Sequence, residues 1–202
     1  GAKIILTDKL VRQSAENVFS MIGRQLGDGM ARKKDVDVLA LYSGFSTDIG
    51  AAGRSMSLAN VSAAVAYAKG KKFGSNVYIV QHPFAVWDIA NTAVTASSTY
   101  PVPVGWSADL LGNFFSGLRP INGVPIFEDG NISIDSSDDA VGVIADRSAL
   151  AVLKSVDMNK EQDRDISLRA TEVVITADYG VFELDDSKGV ALTLDAGTPA
   201  TS

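Results

Sequence analysis

Leu10-Val11-Arg12-Gln13-Ser14-Ala15-Glu16-Asn17-Val18-Phe19-Ser20-Met21-Ile22-Gly23-Arg24-Gln25-Leu26-Gly27-Asp28-Gly29-Met30 is the stretch on which the fold turns. Leu10, Val11, Val18, Phe19, Ile22, Leu26 and Met30 recur at helical spacing, with Ala15 filling the gap. Lys9, Arg12, Gln13, Glu16, Arg24 and Gln25 fall mostly off that stripe. Thr7 or Asp8 offers an N-terminal capping oxygen. Arg32, Lys33 and Lys34 stand where cations favour the C-terminal end of a helix dipole. One continuous helix is therefore expected, of about 26 residues and about 40 Å. Gly23, Gly27 and Gly29 each weaken a helix. They read equally as permitting a bend or the close approach of another chain, and as fraying or ending the helix early.

Outward from this rod, Ile4-Ile5-Leu6 reads as the end of a strand and Gly44–Gly53 as a glycine-rich turn region. A helix is expected from about Ser57 to Lys69, with Leu58, Val61, Ala64, Val65 and Ala68 on one face and Gly70 as its stop. Asn76–Val80 is a short buried strand, broken by His82-Pro83, and a helix follows from Phe84 to Ile89. Residues 94–104 form a Thr/Ser/Pro-rich loop, and Ser107–Phe115 a short helix. The texture then turns to strands at Ile121–Phe127, Ala140–Ile144, Ser167–Ala177, Gly180–Leu184 and Val190–Leu194, with Tyr179-Gly180 as a break. Residues 195–202 read as a flexible tail. The order predicts a mixed α+β chain.

Composition narrows the function classes. Hydrophobic residues are 46% and charged residues 21% of 202, so a packed core and not disorder is the expectation. The net charge of -6 disfavours direct reading of nucleic acid. Net charge says nothing of its distribution over the surface. The chain has no cysteine, which removes disulfides, thiolate catalysis and cysteine metal sites. No stretch reaches the apolar length of a membrane span. The N-terminus lacks the pattern of a signal peptide and begins in a strand-like run without Met, as a fragment or a processed product would.

The search for chemistry returns no catalytic, cofactor or metal residues. His82 is the single histidine, so any histidine-based triad must use it and a multi-histidine metal site is impossible. Its place between strand and helix favours a structural hydrogen bond. Gly105-Trp106-Ser107-Ala108-Asp109 lacks the last glycine of a nucleophile elbow, and Ser107 reads better as a helix cap. No phosphate loop is present, and Gly23–Gly29 lies in a helical context, wrong for a dinucleotide loop. Asp129-Gly130-Asn131-Ile132-Ser133-Ile134-Asp135, followed by Asp138-Asp139, alternates oxygens as calcium loops do. It lacks their glycine and glutamate, so an exposed acidic turn is favoured. Asp157, Glu161, Asp163 and Asp165 make an acid/base pair only if buried together, and a solvated charged loop is expected.

In order, the long helix ending Met30-Ala31-Arg32-Lys33-Lys34-Asp35-Val36-Asp37, Leu58 to Phe73 leading to Tyr78-Ile79-Val80-Gln81-His82-Pro83, Gly123-Val124-Pro125-Ile126-Phe127, Val143 to Leu150, and Asp165 to Gly180 resemble successive segments of tailed-phage major capsid proteins. The resemblance implies an α+β, Hong Kong 97-like fold with a long spine helix. It implies a peripheral domain at 1–45 and 150–183, holding a long hairpin, and an axial domain at 46–149 and 184–202. The family's N-terminal arm and extended loop have no counterpart before Ala2-Lys3. No cross-linking chemistry is therefore carried over.

The implied function is a structural one. The chain would assemble with itself into hexamers and pentamers of an icosahedral head, in the host cytoplasm and then in the virion. The head would enclose double-stranded DNA without sequence-specific binding, with scaffolding, portal or decoration proteins as further partners and no membrane. Two alternatives stand beside it. One is an encapsulin-like nanocompartment shell. The other is a soluble α/β hydrolase acting through carboxylates, with a deep pocket near Asp129–Asp139 or Asp157–Asp165.

Overall fold

A computed structural model describes residues 1–14, 17–94 and 123–199. The chain divides into two compact units: Gly1–Val38 with Val152–Phe182, and Leu39–Ala151 with Glu183–Ser202.

In the first unit, strand β1 (Ala2–Thr7) leads into two helices, α1 (Asp8–Gln13) and α2 (Val18–Leu39). The expected single rod is thus broken at Ser14–Asn17. The apolar period runs through the break, but the local hydrogen bonding does not favour continuation. Ser14 is extended and closes α1 by donating its N–H to the Leu10 carbonyl. Asn17 then opens the next helix, its Oδ1 accepting the Ser20 N–H at 3.3 Å. Asparagine at a helix start outcompetes asparagine within a helix. Leu10 and Val11 accordingly lie off the core, 49% and 37% exposed. The expected cap at Thr7 is present, its hydroxyl accepting the Leu10 N–H. Ala15 lies outside the described residues.

Helix α2 is 22 residues long, about 33 Å. It extends past Arg32–Lys34 to Leu39 and tightens into a 3-10 turn at Ala40–Gly44. It passes through Gly23, Gly27 and Gly29 without ending, and a Cβ at any of them would meet nothing within 4 Å. The helix neither frays nor ends at these glycines. The buried stripe is Val18, Ile22 and Leu26, with Met30 following, at successive steps of four residues. It packs on Leu6 of β1 and on Val173 and Ile175 of β6 (Ala170–Glu183). The distant C-terminal third therefore supplies the surface on which the helix lies. The sheet order is β1-β6-β5, β5 being Leu150–Asp165, with β1 antiparallel to β6 and Leu6 opposite Thr171.

Strand β5 (Leu150–Asp165) corrects a second expectation. The charged segment around Asp157–Asp165 is not a loop but the far half of a 16-residue edge strand. Strand β6 likewise runs unbroken through Tyr179-Gly180, where a break was expected.

The second unit is built on a four-stranded sheet in the order β3-β2-β4-β7, from β2 (Val77–Gln81), β3 (Ile126–Glu128), β4 (Asp139–Asp146) and β7 (Gly189–Asp195). β2 pairs in parallel with β3 and antiparallel with β4, which pairs antiparallel with β7. Helices α3 (Leu58–Gly70) and α4 (Pro83–Val94) cover it. α3 begins as expected, with the Ser57 hydroxyl accepting the Asn60 N–H at 3.2 Å. Its apolar face, Val61, Ala64, Val65 and Ala68, is buried against Ile79, Ile144 and Val190. Gly70 is its last residue and not its stop: the left-handed position is Lys72, at φ 58°. α4 outruns its expected end at Ile89 by a turn or more. Gly142 permits the close approach at the sheet centre, since a Cβ there would lie 2.4 Å from Gln81 Oε1.

The expected flexible tail is held as far as Gly197. Ala196 is buried and donates its N–H to the Asp138 carbonyl at 2.6 Å. The 94–104 loop beyond Val94, the Ser107–Phe115 helix and the start of the Ile121–Phe127 strand lie outside the described residues.

Candidate functional site

The polar residues singled out in the sequence are bound into the framework one at a time. His82 Nδ1 accepts the Phe84 N–H at 3.2 Å, fixing the first turn of α4, and its ring meets Phe84 edge-on at 4.7 Å. Burial lowers its pKa, against the opposing charge of Asp129. It is thus a neutral acceptor at physiological pH, in a capping role. Beside it Gln81 is fully buried and fully used. Its Nε2 donates to the Leu192 carbonyl at 3.1 Å, and its Oε1 accepts the His82 N–H at 3.0 Å. Nothing marks Gln81 in the sequence beyond its place at a strand end.

The Asp129–Asp139 carboxylates are directed at backbone rather than at a common centre. Asp129 accepts from Asn131, Asp135 from Ser137 and Asp139, and Asp139 from Gly53, at 2.6–2.9 Å. The bonds of Asp129 and Asp135 are turn-closing ones of the kind aspartate makes in loops, while that of Asp139 ties in the distant Gly53. Among the described residues no three His, Asp or Glu side chains are gathered as a metal site requires. Asp48 and Asp186 do similar work: Asp48 binds Gly50 and Thr193, and Asp186 takes both the N–H and the hydroxyl of Ser46. The Ser46 bonds hold the Asp186 carboxyl below its usual range. Burial, and then the Asp186 charge, push Glu183 up.

Asp157, Glu161, Asp163 and Asp165 are not brought together. Asp157 pairs with Lys34 of α2 at 2.6 Å and with Lys154 at 3.2 Å. Glu161 accepts from Asn159, Asp163 from the Arg164 N–H, and Asp165 from Ser167. An acid/base pair would need two of these carboxyls buried in one place.

What the first unit does contain is a ladder of ties that hold α2 to its strands beyond the apolar stripe. Lys34 Nζ donates to both the carbonyl and the carboxylate of Asp157, and lies 5.6 Å from the Tyr179 ring centroid. The Tyr179 hydroxyl donates to Asp37 at 2.6 Å, and Lys33 reaches the same carboxylate at 2.5 Å. These bonds hold Asp37 below the usual carboxylate range, Lys33 first and Tyr179 second. Apolar packing near Val18–Leu26 and charged ties near Lys33–Asp37 together fix the helix along its length. The arrangement has the features of a rigid structural element.

No protein-family model matches the sequence, and no curated protein matches it. Solved structures do. One from Mycobacterium phage Che8 is 17% identical, with a TM-score of 0.75 over 95% of this chain and 68% of that one. The acid-stable capsid of Helicobacter pylori bacteriophage KHP30 is 12% identical, with a TM-score of 0.73 over 96% of this chain and 74% of that one. The SrpI encapsulin of Synechococcus elongatus PCC 7942 is 9% identical, with a TM-score of 0.69 over 100% and 75%. The chain therefore has the Hong Kong 97-like fold, with its long helix on α+β scaffolding.

Proposed function

We propose that this chain is the shell-forming subunit of a tailed-phage-type icosahedral head, a structural protein and not an enzyme. The observation that carries the reading is the likeness over nearly the whole chain to phage structures, a bacteriophage capsid among them. The placement of the polar groups agrees with it: carboxylates close turns and pin strands instead of converging on a substrate. In this reading residues 1–45 with 150–183 form the peripheral domain, and 46–149 with 184–202 the axial domain. Copies tile as hexamers and pentamers around double-stranded DNA, which they enclose without reading its sequence. Weak contacts repeated many times make such a shell stable. Portal, scaffolding or decoration proteins would be its further partners, and the virion its final location.

The encapsulin match, which spans the whole of this chain, favours a second reading as a nanocompartment shell. Sedimentation of the purified protein tests both. Particles of megadalton size support a shell, and nuclease-protected DNA inside them separates the head from a protein-filled compartment. A single species of one to four chains at every concentration would contradict both readings.

A further inference from the structure

At the end of the first unit, α1, the last residues of β5 and the turn before β6 enclose a groove of about 690 Å³. Lys9, Arg12, Arg164 and Arg169 line it, with Asp8 the one acid. Asp8 is taken by Arg164, through a bond of 2.9 Å and another of 3.4 Å. Lys9, Arg12 and Arg169 make no ion pair among the described residues. Three unpaired cations in one groove stand out on a chain of net charge -6.

The groove is not purely ionic. Ile166 and Leu168 also line it, 82% and 58% exposed. Arginines around exposed aliphatic side chains are the composition of a protein interface, and a free phosphate or a nucleic-acid backbone has no use for the apolar part. A protein ligand with carboxylates fits better. The same strand carries one: Glu161 and Asp163 are exposed, and neither has an ion pair among the described residues. Side chains alternate along a strand, so Glu161 and Asp163 face away from the side on which Arg164 meets Asp8. One copy cannot bring its own acids into its own groove.

We infer that this groove docks the Glu161–Asp163 flank of a second copy of the chain. Because donor and acceptor surfaces lie on opposite faces of β5, the contact is head-to-tail, and such contacts close into a ring where the rotation between copies allows it. The inference rests on the proposed shell function and names one of its contacts.

Charge reversal tests it. Arg12→Glu with Arg169→Glu, and separately Glu161→Arg with Asp163→Arg, should each raise the concentration needed for assembly tenfold or more. All the reversed positions are exposed, so thermal unfolding should stay that of the wild type. The four substitutions combined restore opposite charges at the four exchanged positions, with Lys9 keeping its sign, and should recover most of the lost assembly. Rising salt should weaken wild-type assembly. Reversed pairs that assemble at the wild-type concentration overturn the contact while leaving the shell reading intact. The same holds if they assemble normally but lose binding to inorganic phosphate or to duplex DNA. A wild-type chain that never assembles overturns both.

Discussion

Truncating Ile22 to alanine probes the helix-on-sheet packing that organises the first unit. Ile22 is 7% exposed and lies mid-stripe between Val18 and Leu26, over Leu6, Val173 and Ile175. Removing three buried carbons from an isoleucine costs about 2–5 kcal/mol through lost burial and the cavity left behind. This core is small, six buried side chains on a single helix–sheet interface, so its neighbours relax more easily than those of a large core. Alanine also favours the helix over isoleucine by a few tenths of a kcal/mol. Both points place the expected loss near the lower end, about 2–3 kcal/mol. Met21, one residue earlier, is 43% exposed, and its alanine variant should stay within about 0.5 kcal/mol of wild type. Urea unfolding followed by helical circular dichroism reads the difference. With a slope of about 1–3 kcal/mol per molar, Ile22→Ala should lower the midpoint by about 0.7 M or more. Equal midpoints for the two variants would refute the assignment of the buried face.

Other outcomes follow from the same contacts. Ile22→Asp places a carboxylate without a partner on the buried stripe and should abolish soluble protein, checked by the soluble fraction on expression. Gly142→Ala forces a Cβ to within 2.4 Å of Gln81 Oε1 and 2.5 Å of the Val80 carbonyl, and should cost about 1–3 kcal/mol in thermal unfolding. Asp186, Asp146 and Asp37 all titrate below their ordinary range in the folded chain. Their stabilisation is complete above the unfolded carboxylate value of about 4 and is lost as pH falls through the folded values, so the melting temperature should drop below about pH 4. Glu183 has the opposite sign, its folded pKa being raised. It favours the protonated form, so stability falls as pH rises through the folded value. Glu183→Gln should therefore raise the melting temperature at pH 7 and flatten its decline as pH rises above about 4.5.

How much of this was legible in the sequence depended on whether local signals agreed with the packing. α3 was readable because Ser57 caps it and its apolar face repeats at helical spacing. The Ser14–Asn17 break was hidden because Leu10 and Val11 continue the period of Val18 and Ile22 while pointing elsewhere. β5 was hidden for a different reason. It lies at a sheet edge with every residue from Val152 to Arg164 exposed, so the alternation that marks a half-buried strand is confined to Val156–Asn159. At Tyr179-Gly180 the glycine reads as a turn, yet it lies in a strand with open space around it. The basic groove was illegible in principle. Arg12 reads as the polar side of a helix and Arg169 as part of the Ser167–Ala177 strand, and only the folding of β6 back along β1 brings them together.

The most direct test is cryo-electron microscopy of the purified protein. Rings of five and six subunits closed into hollow particles, with α2 resolved as a rod from Val18 to Leu39 along β6, are the expected images. Discrete globular particles of a few chains, with no rings and no shells, would contradict the account.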